Sequence, residues 1–127
     1  DSGVDRYALR MCGSILRQGQ VLMIFPEGQR TFDGELNPAK PGAALIANQA
    51  NVPLVPAYIW GSHQAMPRGA TKVKRHKIRV FFGQPFTLSE PATTSSSKKE
   101  FYEKSGILIM SKIKELETQA RKMAEQK

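Results

Sequence analysis

A chain of 127 residues is long enough for one domain or part of one, and it can bury a core. Its 40% hydrophobic and 24% charged residues are ordinary for a globular protein. The longest apolar stretch, residues 52–60, contains prolines and is far shorter than the ~20 residues of a membrane-spanning helix, so the sequence predicts no transmembrane segment.

The first residue is Asp1 rather than Met, and the first methionine is Met11. We interpret this start as a truncation and expect the N-terminal part of the domain to be missing. The lone cysteine, Cys12, excludes an internal disulfide, and no cluster of Cys and His indicates a metal site. No Gly-x-Gly-x-x-Gly or Walker motif is present, so no nucleotide cofactor is expected.

The N-terminal half of the sequence predicts two helices and two strands. Apolar positions at helical spacing indicate a helix over residues 4–18, which Gly19 ends. The continuous apolar run at 21–25 predicts a short buried strand. A helix over 42–51 then leads to a strand at 54–59. Because this connection is long enough for a crossover, we expect the two strands to be parallel, in a right-handed strand–helix–strand unit.

The C-terminal half predicts a third strand at 77–82, a flexible Ser-, Thr- and Pro-rich connector at 87–97, and a long helix over 98–127 with a possible interruption at Ser105-Gly106. The helix carries one apolar stripe, made of Ile109, Ile113, Leu116, Ala120 and Met123. The predicted fold class is α/β, with a mainly parallel or mixed sheet flanked by helices. The predicted division is a domain portion at 1–86, the connector at 87–97 and the helix at 98–127.

The net charge of +8 is unevenly distributed. No Asp or Glu occurs from Leu36 to Ser89, where the basic residues include Lys40, Arg68, Lys72, Lys74, Arg75, Lys77 and Arg79. Such a field attracts lipid headgroups, coenzyme phosphates or nucleic acid, although a solvated basic face is the alternative. The segment 68–79 has no Phe, Trp or Tyr to stack on bases, which argues against nucleic acid.

The segment after the first predicted strand reads Phe-Pro-Glu-Gly-Gln-Arg, residues 25–30. Ligands of open α/β sheets bind outside the carboxyl ends of strands. Gly28 allows the backbone to turn and approach a ligand, and Arg30 offers a planar fork of donors that suits phosphate oxygens. Glu27 can orient that fork or accept a hydrogen bond from a substrate hydroxyl. The alternative is a turn with a solvated arginine and a surface glutamate.

This motif resembles the third signature block of the glycerol-phosphate and lysophosphatidic acid acyltransferases. Residues 36–43 resemble that family's segment ending Phe-Lys-x-Gly-Ala, and residues 52–57 resemble its fourth block, Val-Pro-x-x-Pro-Val. Residues 78–86 resemble the strand that closes the domain. The resemblance covers residues 5–86, and it implies that this chain is the C-terminal part of the domain.

The resemblance also implies roles for individual residues. The implied substrate-binding residues are Phe25, Pro26, Glu27, Gly28, Arg30, Lys40 and Pro56. Gly28 and Arg30 would hold the phosphate of the acyl acceptor, with Glu27 nearby. Lys40 precedes a helix N-terminus that also favours anions, so a second phosphate contact and a solvated loop lysine are both open. Pro56 would help to shape the acyl-chain site. Gln29 and Ala39 depart from the commonest family residues, which leaves the acceptor headgroup open.

The family's first block, a His followed five positions later by an Asp, is not in this sequence. In that block the His takes the proton from the acceptor hydroxyl, and the Asp orients the imidazole. Five positions after His63 is Arg68, and five positions after His76 is Phe81, so neither histidine fits. We therefore assign no catalytic residue in this chain and expect it to be inactive alone.

The function that the resemblance implies is transfer of a fatty acyl group to a lysophospholipid or glycerol phosphate in phospholipid synthesis. The acyl donor would be acyl-CoA or acyl carrier protein, and no other cofactor is expected. The expected location is peripheral, on the cytoplasmic side of an anionic membrane surface. The alternative is a basic module that binds phosphate or nucleic acid without catalysis.

Overall fold

The computed structural model describes residues 5–88 and 97–126. Its elements are α1 (Arg6–Arg17), α2 (Gly42–Ala50), β1 (Ala57–Trp60), α3 (Ser62–Ala65), β2 (Arg79–Phe82) and α4 (Lys98–Glu125). The predicted helices at the N-terminus, after Pro41 and at the C-terminus are confirmed within a few residues. Two of them begin at side-chain caps, since the Asp5 carboxylate accepts from the Tyr7 N–H at 2.9 Å and the Ser97 hydroxyl from the Glu100 N–H at 3.2 Å.

The sheet has two strands in the described part of the chain, β1 and β2, which pair antiparallel with Ala57 opposite Phe82 and Trp60 opposite Arg79. An isolated antiparallel bridge between Leu54 and Phe86 extends the pairing. The expected α/β class is therefore confirmed in the coarse sense of a small α/β domain. The expected parallel pair is not found in residues 5–88 and 97–126. The strand predicted at 77–82 is present but shorter.

The prediction of a strand at residues 21–25 was wrong. Among the residues that the structure describes, this segment pairs with no strand. Val21 is 96% exposed, Met23 77% and Phe25 59%, whereas Ile24 packs against the core. The continuous apolar run predicted burial on both faces. Only one face is covered here, and a strand exists only where a neighbouring strand completes its hydrogen bonds.

The core lies where α2 meets α4, around Ala43, Ala44 and Ile109. In the predicted stripe of α4, Ile109 and Ile113 pack in this core, Leu116 and Ala120 are buried, and Met123 is exposed. The possible interruption at Ser105-Gly106 does not occur, since α4 is continuous there. Both residues are buried, and a side-chain carbon placed on Gly106 would lie 3.4 Å from the Ala39 Cβ, so small residues let the helix approach closely. The predicted connector at 87–97 lies mostly outside the described residues.

Candidate phosphate-binding site

The candidate residues from Pro26 to Lys40 form one closed loop, which we call the site loop (residues 26–40). The Lys40 N–H donates to the Pro26 carbonyl at 2.8 Å and joins the two ends of the loop. The Gly28 N–H donates to the Phe25 carbonyl at 3.0 Å, which makes a tight turn at the start of the loop. These bonds bring the predicted motif and the predicted lysine into one place.

Gly28 and Lys40 lie directly against each other. Gly28 has a φ of +74°, a left-handed conformation that glycine adopts without strain. A side-chain carbon placed there would lie 2.8 Å from the Lys40 Cδ and 3.5 Å from its Nζ. The missing side chain therefore leaves the space through which the Lys40 chain passes. Lys40 is exposed, so a phosphate contact and a solvated loop lysine both stay open as predictions.

Glu27 braces the site loop from inside. Its Oε2 atom accepts a hydrogen bond at 2.8 Å from the N–H of Asn37, on the returning limb of the loop. The glutamate is half-buried, so this charge-assisted bond is partly shielded from water. This contact gives Glu27 a structural role, and its predicted orientation of the Arg30 fork stays a prediction.

The tip of the site loop is a polar turn. The Asp33 Oδ1 atom accepts from the Glu35 N–H at 2.9 Å and lies 3.1 Å from the Thr31 hydroxyl oxygen. These contacts, with the backbone bond to Glu35 as the largest cause, hold the pKa of Asp33 below its usual value. The carboxylate thus stays charged and keeps the tip folded.

Arg30 reaches away from the turn to a second loop, which we call the cap loop (residues 61–74). Its Nη2 atom donates to the Met66 carbonyl at 2.7 Å. The cap loop makes a second hydrogen bond to the same residue, in which the Arg68 Nη1 atom donates to the Arg30 carbonyl at 3.1 Å. Arg30 is exposed, and a guanidinium has five donors, so the contact with Met66 leaves donors free to meet a ligand. Arg30 is thus neither a purely solvated nor a buried arginine.

The two remaining candidates lie in different surroundings. Phe25 is 59% exposed at the start of the turn, with its ring open to a ligand or to another apolar surface. Pro56 is buried, and its ring lies where a side chain on Gly83 would meet it at 2.8 Å. The Gly83 N–H also donates to the Pro56 carbonyl at 2.9 Å. Pro56 therefore packs in the sheet, and its implied contact with an acyl chain stays a prediction.

The basic residues of the segment 68–79 lie on the surface. Residues 71–78 are all exposed, and the Arg79 guanidinium carbon lies 6.0 Å from the centre of the Trp60 ring. His76 packs against the same ring at 5.5 Å, and its Nδ1 atom lies 2.9 Å from the Lys77 carbonyl. His63 faces Gly34 at the tip of the site loop. Among the described residues, neither histidine has a hydrogen-bonded carboxylate that would orient it as a base.

The sequence did not indicate the contacts that join the two loops. The sequence assigns no role to Phe32, Asn37 and Met66, and it marks Arg68 as one basic residue of an acid-free stretch. A weak signal for Arg68 was its place in Met-Pro-Arg-Gly, a turn sequence within an acid-free stretch. Nothing local indicates that Arg68 meets Arg30, because that contact joins distant parts of the chain.

Two kinds of feature are absent from the part of the chain that the structure describes. None of its helices combines the length and the apolar character that crossing a bilayer requires. Across 5–88 and 97–126, no three His, Cys, Asp or Glu side chains gather in a way that could hold a metal ion.

Comparison with known proteins gives a consistent set of relatives. A family model described as Acyltransferase matches residues 2–60, a range that includes all seven candidate residues. The 1-acyl-sn-glycerol-3-phosphate acyltransferase BAT2 of Brassica napus is 37% identical over 78 residues, which cover 61% of this chain and 23% of that protein. The 1-acyl-sn-glycerol-3-phosphate acyltransferase of Bacillus subtilis is 33% identical over 85 residues, covering 67% of this chain and 40% of that protein.

A solved structure extends the similarity to the fold. The crystal structure of the 1-acyl-sn-glycerophosphate (LPA) acyltransferase PlsC from Thermotoga maritima matches 87% of this chain and 44% of that chain, with a TM-score of 0.66 and 27% identity. The chain thus spans less than half the length of each of these relatives. The family model, the relatives and the shared fold together show that this chain belongs to the acyltransferase family that includes the 1-acyl-sn-glycerol-3-phosphate acyltransferases.

Proposed function

We propose that this chain supplies the acceptor-binding part of an enzyme that transfers a fatty acyl group to 1-acylglycerol 3-phosphate. The observation that carries the proposal is the site loop, in which the Lys40 side chain passes over Gly28 and the exposed Arg30 follows two residues after that turn. Phosphate is the group that such a turn suits, since it accepts from backbone N–H groups and from charged donors together. The names of the relatives are the second support, because they act on a glycerol phosphate.

The roles within the loop follow from the contacts. The Lys40 ammonium, directed over Gly28, acts as a point charge on one side of the phosphate. The exposed donors of Arg30 bind from the other side, while the bond to Met66 fixes the direction of the side chain. Glu27 touches no ligand in this scheme and keeps the loop closed through Asn37. The acyl donor is acyl-CoA or acyl carrier protein, and both deliver the acyl group as a thioester.

The general base of the transfer lies outside these 127 residues in this proposal. Neither His63 nor His76 has an Asp at the family spacing, and the His76 ring lies against a backbone carbonyl instead of a carboxylate. General base catalysis typically contributes roughly 10²–10⁴ in rate, so the chain alone should not measurably transfer acyl groups. Transfer from a radiolabelled acyl thioester to lysophosphatidic acid by this chain would contradict the assignment.

The phosphate role of Arg30 can be tested by binding. Titration with glycerol 3-phosphate should give a measurable affinity, and glycerol, which lacks the charge, should not bind. A charge-assisted hydrogen bond is worth about 1.5–3 kcal/mol, so Arg30→Ala should weaken binding by roughly tenfold to a hundredfold. Arg30→Lys should restore part of the affinity, because an ammonium keeps the charge and loses the fork.

The control is Arg10→Ala, which removes the same group from the exposed face of α1. It should leave the affinity within about twofold, because ~0.4 kcal/mol or less is expected from a distant, screened charge. A melting curve should show both variants folded. Equal affinity for wild type and Arg30→Ala would remove Arg30 from the site, and an equal loss in both variants would indicate attraction by net charge alone.

A further inference from the structure

The contact between the site loop and the cap loop is reciprocal. Arg30 of the site loop donates to the Met66 carbonyl of the cap loop, and Arg68 of the cap loop donates to the Arg30 carbonyl. Each arginine therefore binds the backbone of the opposite loop. These two bonds cross the gap between the loops in opposite directions and fix both the peptide plane and the side-chain direction of Arg30.

Arg68 is itself held in place by an aromatic ring. Its guanidinium carbon lies 3.7 Å from the centre of the Phe32 ring, two positions after Arg30 in the site loop. A cation over a ring face is attracted by the ring quadrupole, and the flat guanidinium suits this contact better than an ammonium does. Phe32 is 72% exposed, so its ring serves as a platform on the surface rather than as part of the core.

The cap loop has internal structure of its own. The short helix α3 begins it, and the Lys74 N–H donates to the Ala65 carbonyl at 2.6 Å, which ties the end of the loop back to its start. At the tip of the site loop, the His63 ring lies 3.0 Å from where a side chain on Gly34 would begin. The first contact closes the cap loop on itself, and the second places the cap loop beside the tip of the site loop. Arg68 adds a hydrogen bond from the cap loop to the backbone of Arg30.

We infer that Arg68, supported by Phe32, is a positioning residue that holds Arg30 in the orientation that binds the acceptor phosphate. This rests on the proposed function, since it assumes that Arg30 binds the phosphate. Arg68 acts through Arg30 and does not touch the reacting atoms. We expect its geometry to matter more than its charge, because its guanidinium both donates to the Arg30 carbonyl and lies over the Phe32 ring.

The test compares four variants of this chain in titrations with glycerol 3-phosphate. Arg68→Ala should weaken binding by roughly threefold to tenfold, which corresponds to the loss of about one hydrogen bond between uncharged groups. Phe32→Leu, which keeps an apolar side chain and removes the ring face, should weaken binding by roughly twofold to fivefold. Arg68→Lys should restore only part of the loss. Lys72→Ala, which removes the same charge from the same loop, should change affinity less than about twofold.

A nuclear magnetic resonance signal separates positioning from general stability. The side-chain Nε–Hε signal of Arg30 in the free protein should shift and broaden in Arg68→Ala and Phe32→Leu, and should be unchanged in Lys72→Ala. A lowered melting temperature with unchanged affinity and an unchanged Arg30 signal would overturn the inference. Full rescue by Arg68→Lys, or an equal loss in Lys72→Ala, would also overturn it, because either result assigns the effect to charge.

The variant Arg30→Ala distinguishes this inference from the function on which it rests. If Arg30→Ala leaves the affinity unchanged, the proposed function fails and Arg68 has nothing to position. If Arg30→Ala weakens binding and Arg68→Ala does not, the proposed function stands and the role of Arg68 is wrong.

Discussion

At the scale of single residues, the site depends on a close approach that only glycine allows. The Lys40 chain crosses Gly28 so closely that any side chain there would displace it. The left-handed backbone at Gly28 adds a second reason, since other residues are strained at a φ of +74°. One glycine therefore sets both the turn that presents Arg30 and the path of the second cation.

Gly28→Ala should separate these two effects when it is compared with Gly19→Ala. Gly19 has a similar φ of +77°, but a side-chain carbon placed there would have no atom within 4 Å, so Gly19→Ala carries the strain alone. Both variants should lose roughly 1–2 kcal/mol of unfolding free energy in urea titrations. Only Gly28→Ala should also lose affinity for glycerol 3-phosphate, because only there does the new methyl group move Lys40. An equal change of affinity in both variants would show that the placement of Lys40 is unimportant.

At the scale of elements, the sequence predicted the helices and the approximate positions of β1 and β2, but not how the strands pair. Helices α1, α2 and α4 are specified by local features, which are their caps, their apolar spacing and the residues that end them. Residues 21–25 have the composition of a strand, but a strand is completed by another strand, and the sequence of one segment does not contain its neighbour. The antiparallel pairing of β1 with β2 was missed for the same reason.

The same distinction applies to the site. The motif from Phe25 to Arg30 predicted a close approach of a ligand to Gly28, and that stays a prediction. The close approach that the structure shows at Gly28 is made by the Lys40 side chain. The contacts of Arg30 with Met66 and of Arg68 with Arg30 join two loops without periodicity. Their meeting depends on how α3 and β2 place the cap loop, and no local pattern encodes that placement.

Arg121 of α4 makes two ionic contacts, one of which links this helix to the site loop. Arg121 of α4 lies 3.7 Å from the Glu35 carboxylate in the site loop and 3.7 Å from the buried Glu117 carboxylate. The buried Glu117 Oε2 atom has no hydrogen-bond partner among the described residues, so this longer ionic contact is its compensation. Burial raises the pKa of the nearby Tyr58 hydroxyl, and the Glu117 charge raises it further.

The Tyr58 shift predicts a loss of stability at high pH. A raised pKa means that the folded chain keeps a proton which the unfolded chain releases above pH ~10. Stability from this group is therefore complete below that pH and is lost as the pH rises through the higher folded pKa. Tyr58→Phe should reduce the fall in urea-unfolding free energy between pH ~8 and pH ~11. Tyr7→Phe, at a tyrosine that is 70% exposed, should leave the fall unchanged. The same fall in all three proteins would contradict the assignment.

At the scale of the whole molecule, the positive charge is concentrated away from the acidic residues. The site loop contains acids at Glu27, Asp33 and Glu35, and α4 mixes both signs, whereas the exposed stretch at 71–78 carries only basic charge. Val73 is also 73% exposed within that stretch. Basic side chains with an exposed apolar residue suit an anionic membrane surface, and we propose that this stretch holds the protein there peripherally, on the cytoplasmic side.

Vesicle binding tests this proposal. Replacing Lys72, Lys74, Arg75 and Lys77 together by Ala should weaken binding to vesicles that contain phosphatidylserine, since each basic residue near an anionic surface contributes about 1 kcal/mol. The loss should be largest at low salt and should shrink towards ~1 M salt, where the Debye length falls to about 3 Å.

The matched control replaces Lys98, Lys99, Lys114 and Lys122, four exposed lysines of α4, and removes the same net charge. The control should retain most of the binding, because its charges are not gathered in one stretch. Equal losses in both proteins would mean that net charge alone attracts the chain. A preference of the wild-type chain for one oligonucleotide sequence over another would assign the basic stretch to nucleic acid instead.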